Sequence, residues 1–104
     1  MAKYLFQITY TQTGFQETLG EGGSIWRDKI ENSIRSLNGW LEAFYFSFGE
    51  VDMFVVVELP DNVSASAFSM IVSSGGAVSI KTTVLISPEE IDLAVKKSID
   101  HNTT

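Results

Sequence analysis

Few side chains in this sequence are suited to acid–base chemistry, and Asp52 and Tyr45 are the best placed of them. Asp52 stands where a predicted strand begins, and a carboxylate in a partly apolar cavity can serve as a general base, with Tyr45 orienting the substrate. Aspartate is also a frequent turn residue, because its carboxylate binds backbone amides. We favour the turn role for Asp52 and keep the base as the alternative.

Composition excludes most other chemistry. The chain has no cysteine and a single histidine, His101, in a polar tail. Disulfides, thiolate nucleophiles, iron–sulfur clusters and cysteine zinc sites are therefore excluded, and we expect neither a histidine-ligated metal nor a Ser-His-Asp site. Asp52 and Glu58 alone supply too few ligands for a carboxylate metal site. We predict no metal and no cofactor.

Three glycines, Gly20, Gly22 and Gly23, precede a predicted helix, which is a setting for phosphate binding. The segment nevertheless matches neither the GxGxxG nor the P-loop pattern. Residues 11–23 are therefore interpreted as a polar connecting loop, with a lid as the alternative.

Length and charge restrict the class of protein and its partners. A chain of 104 residues fits one domain over 1–104, with its core in 2–95. Thirteen acidic and seven basic residues give a net charge of −6, which disfavours nucleic acid and anionic membranes as partners. No apolar run approaches the roughly 18 residues that span a bilayer, and the N-terminus lacks the apolar region of a signal peptide. We expect a cytoplasmic location, which a chain without cysteine suits.

Hydrophobic periodicity predicts the first strand and the first helix. Residues 3–10 alternate in character, as a half-buried strand does. An amphipathic helix follows, beginning at an N-cap Ser24 and ending at Asn38, with Gly39 in the left-handed position that often ends helices. The apolar stripe of this helix comprises Trp26, Ile30, Ile34 and Leu37.

Three further segments complete a sheet with a second helix. Residues 40–48 and 52–59 are predicted as antiparallel strands joined by a turn at Gly49-Glu50. Pro60 closes the second strand, and Asp61 or Asn62 caps a helix over 62–74. Residues 77–86 form the fourth strand. One side of the second helix carries Val63, Ala67, Met70, Ile71 and Ser74.

The strongest local signal in the chain is Ser87-Pro88-Glu89-Glu90. It combines an N-cap serine, a proline at the first helical position and a glutamate that completes a capping box. A last helix over 88–99 is predicted, followed by a frayed tail at 100–104. Its narrow apolar stripe, which can dock on the same protomer or on a partner, comprises Ile91, Ala94, Val95 and Ile99.

The predicted fold is α+β, a ferredoxin-like β-α-β-β-α-β order with a four-stranded antiparallel sheet plus a C-terminal helix. If Ser47 lies opposite Asp52, side-chain alternation assigns both faces of the sheet. The side chains expected to point toward the helices are Phe44, Phe46, Phe48, Met53, Val55, Val57 and Leu59. Those expected to point away are Leu41, Ala43, Tyr45, Ser47, Asp52, Phe54, Val56 and Glu58, joined by Gln7, Thr9, Lys81 and Thr83.

The face turned away from the helices is mixed in character. It is too apolar for a solvated sheet and too polar for a dry core, and a covered face that encloses a partly polar cavity accommodates both. The predicted ligand-binding residues on this face are Gln7, Tyr45, Asp52, Phe54 and Lys81.

Four ordered segments, KYLFQITYT, LEAFYFSFGEVD, VVVELPDNVSA and SPEEID, resemble the GYD domain family over about residues 2–95. The Gly-Tyr-Asp for which the family is named corresponds here to Gly49, Val51 and Asp52, so its tyrosine is missing. The resemblance implies a dimeric α/β-barrel, in which two ferredoxin-like sheets face one another around a shared interior. No biochemical role is implied.

Three functions remain open from the sequence. The leading hypothesis is a homodimer, or a higher oligomer of dimers, that binds a small molecule. The alternatives are a cofactor-free isomerase or monooxygenase acting on a small hydrophobic carbonyl or phenolic compound, and a structural or regulatory assembly unit whose interface is filled by side chains. Whether the protein is an enzyme is left undecided.

Overall fold

A computed structural model of the protein describes residues 1–12 and 20–103. Most of the predicted loop over 11–23 lies outside the described residues, and at its described margins Gln12, Gly20 and Glu21 have helical conformation. The strands are β1 (Ala2–Tyr10), β2 (Trp40–Phe46), β3 (Met53–Leu59) and β4 (Val78–Leu85). The helices are α1 (Gly23–Ser36), α2 (Asn62–Ser73) and α3 (Pro88–Thr103).

The four strands form one antiparallel sheet in the order β2-β3-β1-β4, with α1 packed on β2 and α2 packed on β4 and β3. Alternate residues of the two central strands are almost completely buried beneath these helices, because the apolar side chains of β1 and β3 recur with the period of two that a strand requires. The predicted ferredoxin-like order and its C-terminal helix are confirmed. No described helix is long and apolar enough to cross a membrane.

The ends of α1 differ from the prediction. Its N-cap is Gly22 instead of Ser24, and no side chain caps it. At its C-terminus the left-handed residue is Asn38, with φ of 64°, instead of Gly39. The amides of Asn38 and Gly39 donate to the carbonyls of Arg35 and Ile34 at 3.0 and 3.1 Å, which is the Schellman pattern. The glycine has a different role, since a Cβ at position 39 would overlap the carbonyl oxygen of Glu58.

Helix α2 begins at its N-cap Asp61, as predicted, and the carboxylate accepts hydrogen bonds from the amide and hydroxyl of Ser64, both at 2.9 Å. These bonds lower the pKa of Asp61. The predicted side of the helix is not the one that packs, because Ala65 and Phe68 are the buried residues, with the Phe68 ring 4.5 Å from that of Phe6. Four of the five members of the predicted side are exposed: Val63, Met70, Ile71 and Ser74.

Strand β2 contains an irregularity that the alternation argument does not foresee. The pairing with β3 shifts between Leu41 and Ala43, so Leu41 pairs with Val57 and packs against the core. The prediction that Leu41 points away from the helices is therefore wrong, because the extra residue of a bulge changes the face of one side chain. Phe48 lies beyond the end of β2 and is fully exposed, so its predicted orientation toward the helices is also wrong.

The last helix has the predicted start. The Ser87 hydroxyl accepts from the Glu90 amide, and the Glu90 carboxylate accepts from the Ser87 amide, both at 3.1 Å, which confirms the capping box. The helix continues to Thr103, beyond the predicted end at residue 99, and includes residues 100–103 of the expected tail. Every side chain from Pro88 to His101 is exposed, so α3 does not dock on the part of its own protomer that the structure describes.

Candidate functional site

The side of the sheet opposite α1 and α2 is covered by no helix in the part of the chain that the structure describes. We call this side the open face. Four of the five predicted ligand-binding residues form one row across it. In the order of the strands they are Tyr45, Phe54, Gln7 and Lys81, each paired with the next through the register of the sheet. Residues far apart in sequence are therefore neighbours on one surface.

The row has a definite size and polarity. Adjacent strands are about 4.8 Å apart, so the row spans about 14 Å from Tyr45 on one edge strand to Lys81 on the other. Phe54 is half-buried between Tyr45, which is 70% exposed, and Gln7. A small molecule on this row meets an aromatic surface at one end and amide and ammonium donors at the other.

The next row is apolar at its centre. It runs through Ala43, Val56, Leu5 and Thr83, and all four are partly buried although no described helix lies on them. The solvated side of an antiparallel sheet ordinarily carries polar residues. The centre of the open face departs from that pattern at Val56 and Leu5.

A third row, next to the apolar centre, contains charged side chains. Lys3 pairs with Glu58 of β3, and its ammonium lies 3.0 Å from the carboxylate of Glu42, the residue at the bulge of β2. The hydrogen bond to Glu42 raises the pKa of Lys3, and the charge of Glu58 adds to the effect. Trp40, paired with Glu58, is 48% exposed on this row.

Lys81 differs from Lys3 in having no ion pair among residues 1–12 and 20–103. Within the same described part, the side chains of Gln7, which is its neighbour, and of Tyr45, at the other end of the row, make no hydrogen bond. The row therefore offers an ammonium, an amide and a phenol that are all available to a ligand. A cation beside donor groups is suited to an anionic oxygen, since charge-assisted hydrogen bonds are the stronger ones.

Asp52 is the fifth predicted residue, and it is held apart from the row. Its Oδ2 accepts a hydrogen bond from the Tyr10 amide at 2.8 Å, and its own amide donates to the Ile8 carbonyl at 3.0 Å. Ser47 donates to its carbonyl at 2.8 Å, which confirms the predicted opposition of these two residues. Asp52 thus joins β1 to the start of β3, in keeping with a backbone-binding role, although the amide belongs to β1 instead of the turn.

Replacing this carboxylate is expected to reveal its structural role. Asp52→Ala removes the acceptor of the Tyr10 amide, so we expect the free energy of unfolding to fall by about 1–2 kcal/mol. Asp52→Asn keeps an acceptor oxygen and is expected to cost less than half as much. Urea unfolding followed by tryptophan fluorescence measures both variants. Equal losses would show that the charge, and not the hydrogen bond, is what position 52 supplies.

Outside the open face, the described residues contain no cluster of side chains that could hold a metal ion. Within the described residues, no three side chains of the His, Asp and Glu types are placed to hold a metal ion. His101 lies near the end of α3, away from the open face, and Trp26 is a buried core residue whose Nε1 lacks a hydrogen-bond partner among the described residues. Lys81 and Asp52 are two strands apart, so the open face does not bring this ammonium to the carboxylate.

Sequence reasoning missed the charged border of the face. The pairing of Lys3 with Glu42 depends on the bulge in β2, which turns Glu42 toward Lys3. A strictly alternating strand gives no sign of it. The sequence does contain a clue, since strict alternation puts Glu42 on the same face as Phe44 and Phe46, where a charged side chain is not expected.

Fold and site together define the class: this is a ferredoxin-like α+β protein with one free sheet face. The chain belongs to the GYD domain family, whose model matches residues 4–95. The resemblance read from the sequence is thereby confirmed. No curated protein and no solved structure matches the chain.

Proposed function

We propose that the open face pairs with the same face of a second copy and that the pair encloses a cavity for a small molecule with an apolar body and an anionic oxygen. The observation that carries this proposal is the row of Tyr45, Phe54, Gln7 and Lys81 on an uncovered face. The expected ligands are small aromatic or aliphatic acids.

The apolar centre supports pairing. Leu5 and Val56 are adjacent on the two central strands of the sheet, and no described helix lies over them on that side. Burial of apolar surface contributes about 25 cal/mol per Å², and a small domain gains much from the extra area that a partner covers. A twofold axis through this centre places each copy's apolar residues against those of the other.

The polar end of the row, at Gln7 and Lys81, favours a bound ligand over an interface that is entirely apolar. A buried ammonium without a partner costs several kcal/mol, so a copy that covers Lys81 needs an anion or water there. Among the described residues no carboxylate occupies that position. An acid whose carboxylate meets Lys81 and Gln7, with its apolar part on Phe54, satisfies both ends of the row.

Binding is tested with acids of known structure. Benzoate, phenylacetate and decanoate are titrated into ¹⁵N-labelled protein, with benzyl alcohol as the uncharged analogue. We expect amide shifts at Gln7, Phe54 and Lys81 with at least one acid, and at least tenfold weaker binding of benzyl alcohol. Lys81→Met should reduce the affinity for that acid at least tenfold, since the charge-assisted hydrogen bond is lost.

The matched control is Lys97→Met, which removes an exposed lysine from α3, outside the open face. It should leave the affinity unchanged. Equal effects of both substitutions would indicate nonspecific attraction of anions and would refute the assignment to the row. Shifts confined to other parts of the chain would also refute it, and no shifts with any acid would favour an interface filled by side chains.

A further inference from the structure

Helix α3 is an amphipathic helix whose apolar side packs on no other helix or strand among residues 1–12 and 20–103. Its 16 residues make no extensive contact with any other described element, and the exposed fractions of Ile91, Val95 and Ile99 are 47%, 53% and 57%. The radius of gyration is 16.4 Å, against roughly 13 Å for a compact domain of about this length. The longest dimension is 59 Å, so α3 projects from the body.

A helix of this length is marginal in water unless its apolar side is buried, because nucleation is costly and most helical stability comes from tertiary packing. Residues 91, 95 and 99 recur every four positions and share one side of the helix with Ala94. Leu93 lies on the opposite side. The helix therefore needs a second apolar surface against which this stripe can be buried.

A groove with mostly apolar walls lies on the same chain, on the side of the sheet that carries the helices. The groove has a volume of about 380 Å³ and runs between α2 and the outer strand β4. Its apolar walls include Met70, which is 71% exposed, and Val84, which is 52% exposed. The residues that line it are Tyr4, Asn62, Ala65, Ser66, Ser69, Met70, Thr82 and Val84, and none of them is charged.

Four polar residues of this groove form two hydrogen-bonded pairs. The Tyr4 hydroxyl donates to Asn62 Oδ1 at 2.7 Å, and the hydroxyls of Ser69 and Thr82 are 2.9 Å apart. Burial raises the pKa of Tyr4, and the charge of Asp61 adds to the shift, so the phenol stays a neutral donor at neutral pH. An apolar guest can cover these two pairs without breaking either hydrogen bond, and an unmade hydrogen bond is the main cost of burying polar atoms.

Stripe and groove also match in length. From Asn62 to Met70 the α2 wall rises about 12 Å, and from Ile91 to Ile99 the stripe of α3 rises about 12 Å, at 1.5 Å per residue. We infer that α3 of one copy docks in the groove between α2 and β4 of a second copy. Each chain has one such helix and one such groove, so a twofold exchange fills both surfaces in both copies and leaves no open end.

This contact is independent of the proposed pairing through the open face, since the groove lies on the other side of the sheet. A second copy is favoured over an unrelated protein because the chain itself supplies an uncharged stripe and an uncharged groove of equal length.

Cross-linking tests the inference directly, because a chain without cysteine allows each introduced thiol to be unique. One variant carries Val95→Cys and another, with an N-terminal tag that changes its mass, carries Met70→Cys. The two are mixed in equal amounts and treated with a short bis-maleimide. We expect the mixed product at a yield at least fivefold above that from Val95→Cys with Ser36→Cys, a position exposed at the end of α1.

The stripe is tested in the same assay. Adding Ile91→Ser and Ile99→Ser to the Val95→Cys chain should lower the yield with Met70→Cys at least fivefold, whereas adding Leu93→Ser should leave it unchanged. Val56→Lys, which disrupts the open face, should also leave it unchanged. Equal yields at positions 70 and 36, or a yield insensitive to the two isoleucines, would overturn the docking of α3 in this groove.

Discussion

Gly39→Ala is expected to lower the free energy of unfolding by about 3 kcal/mol, the upper part of the range for inserting atoms where no space exists. A Cβ at this position would collide with the carbonyl oxygen of Glu58 and with the side chain of Leu59. Both belong to β3, so relief requires β2 to separate from a central strand of the sheet. Urea unfolding, with the slope checked for two-state behaviour, gives the value.

Gly75→Ala is the matched control. No heavy atom lies within 4 Å of a Cβ built at Gly75, and its backbone does not have a positive φ. We expect a change within about 0.5 kcal/mol for this exposed position. If Gly39→Ala changed the free energy of unfolding as little as Gly75→Ala, the end of α1 and β3 would not be as close as described here.

Val56→Lys is expected to raise the dissociation constant of the proposed face-to-face pair by about a thousandfold, which corresponds to about 4 kcal/mol. Val56 lies on a central strand beside Leu5, so pairing brings a lysine from each copy into an apolar contact. Two like charges without partners are costly to desolvate and repel one another. Sedimentation equilibrium measures the constant at several protein concentrations.

Val63→Lys makes the same substitution on α2, where the valine is already 77% exposed on the other side of the sheet. It should leave face pairing unchanged, and both variants should keep the far-ultraviolet circular dichroism of the parent. A parent protein that sediments as a monomer, and whose unfolding does not depend on concentration, would refute pairing altogether. If both substitutions weakened the pair equally, the contact between the copies would not lie on the open face.

Much of the secondary structure follows from local chemistry. The capping box at Ser87 and the N-cap at Asp61 are satisfied within a few residues of themselves, so sequence identifies them reliably. The same holds for the stripe of Trp26, Ile30 and Ile34, in which large apolar residues occupy one side of α1 and polar residues the other. Each of these signals is complete within one element.

Helix α2 shows where local signals fail. Its apolar residues surround most of the helix, so periodicity alone does not choose between the side with Met70 and the side with Phe68. The choice depends on the sheet beneath, where Phe6 presents a ring to Phe68. The end of α1 also depends on a neighbouring strand. Gly39 is where β3 comes too close for a Cβ, and the residue with the positive φ is Asn38.

Sequence by itself determined the order of strands and helices along the chain, the common face of Tyr45, Phe54, Gln7 and Lys81, and the start of α3, because alternation and capping act over a few residues. Only the tertiary structure decided which side of α2 is buried, that Leu41 and Phe48 leave their predicted face, and that the four open-face residues align in one row. It also decided that Asp52 binds the Tyr10 amide and that α3 packs on no other described helix or strand. Those features depend on the distance between segments that are remote in sequence, and no local pattern encodes that distance.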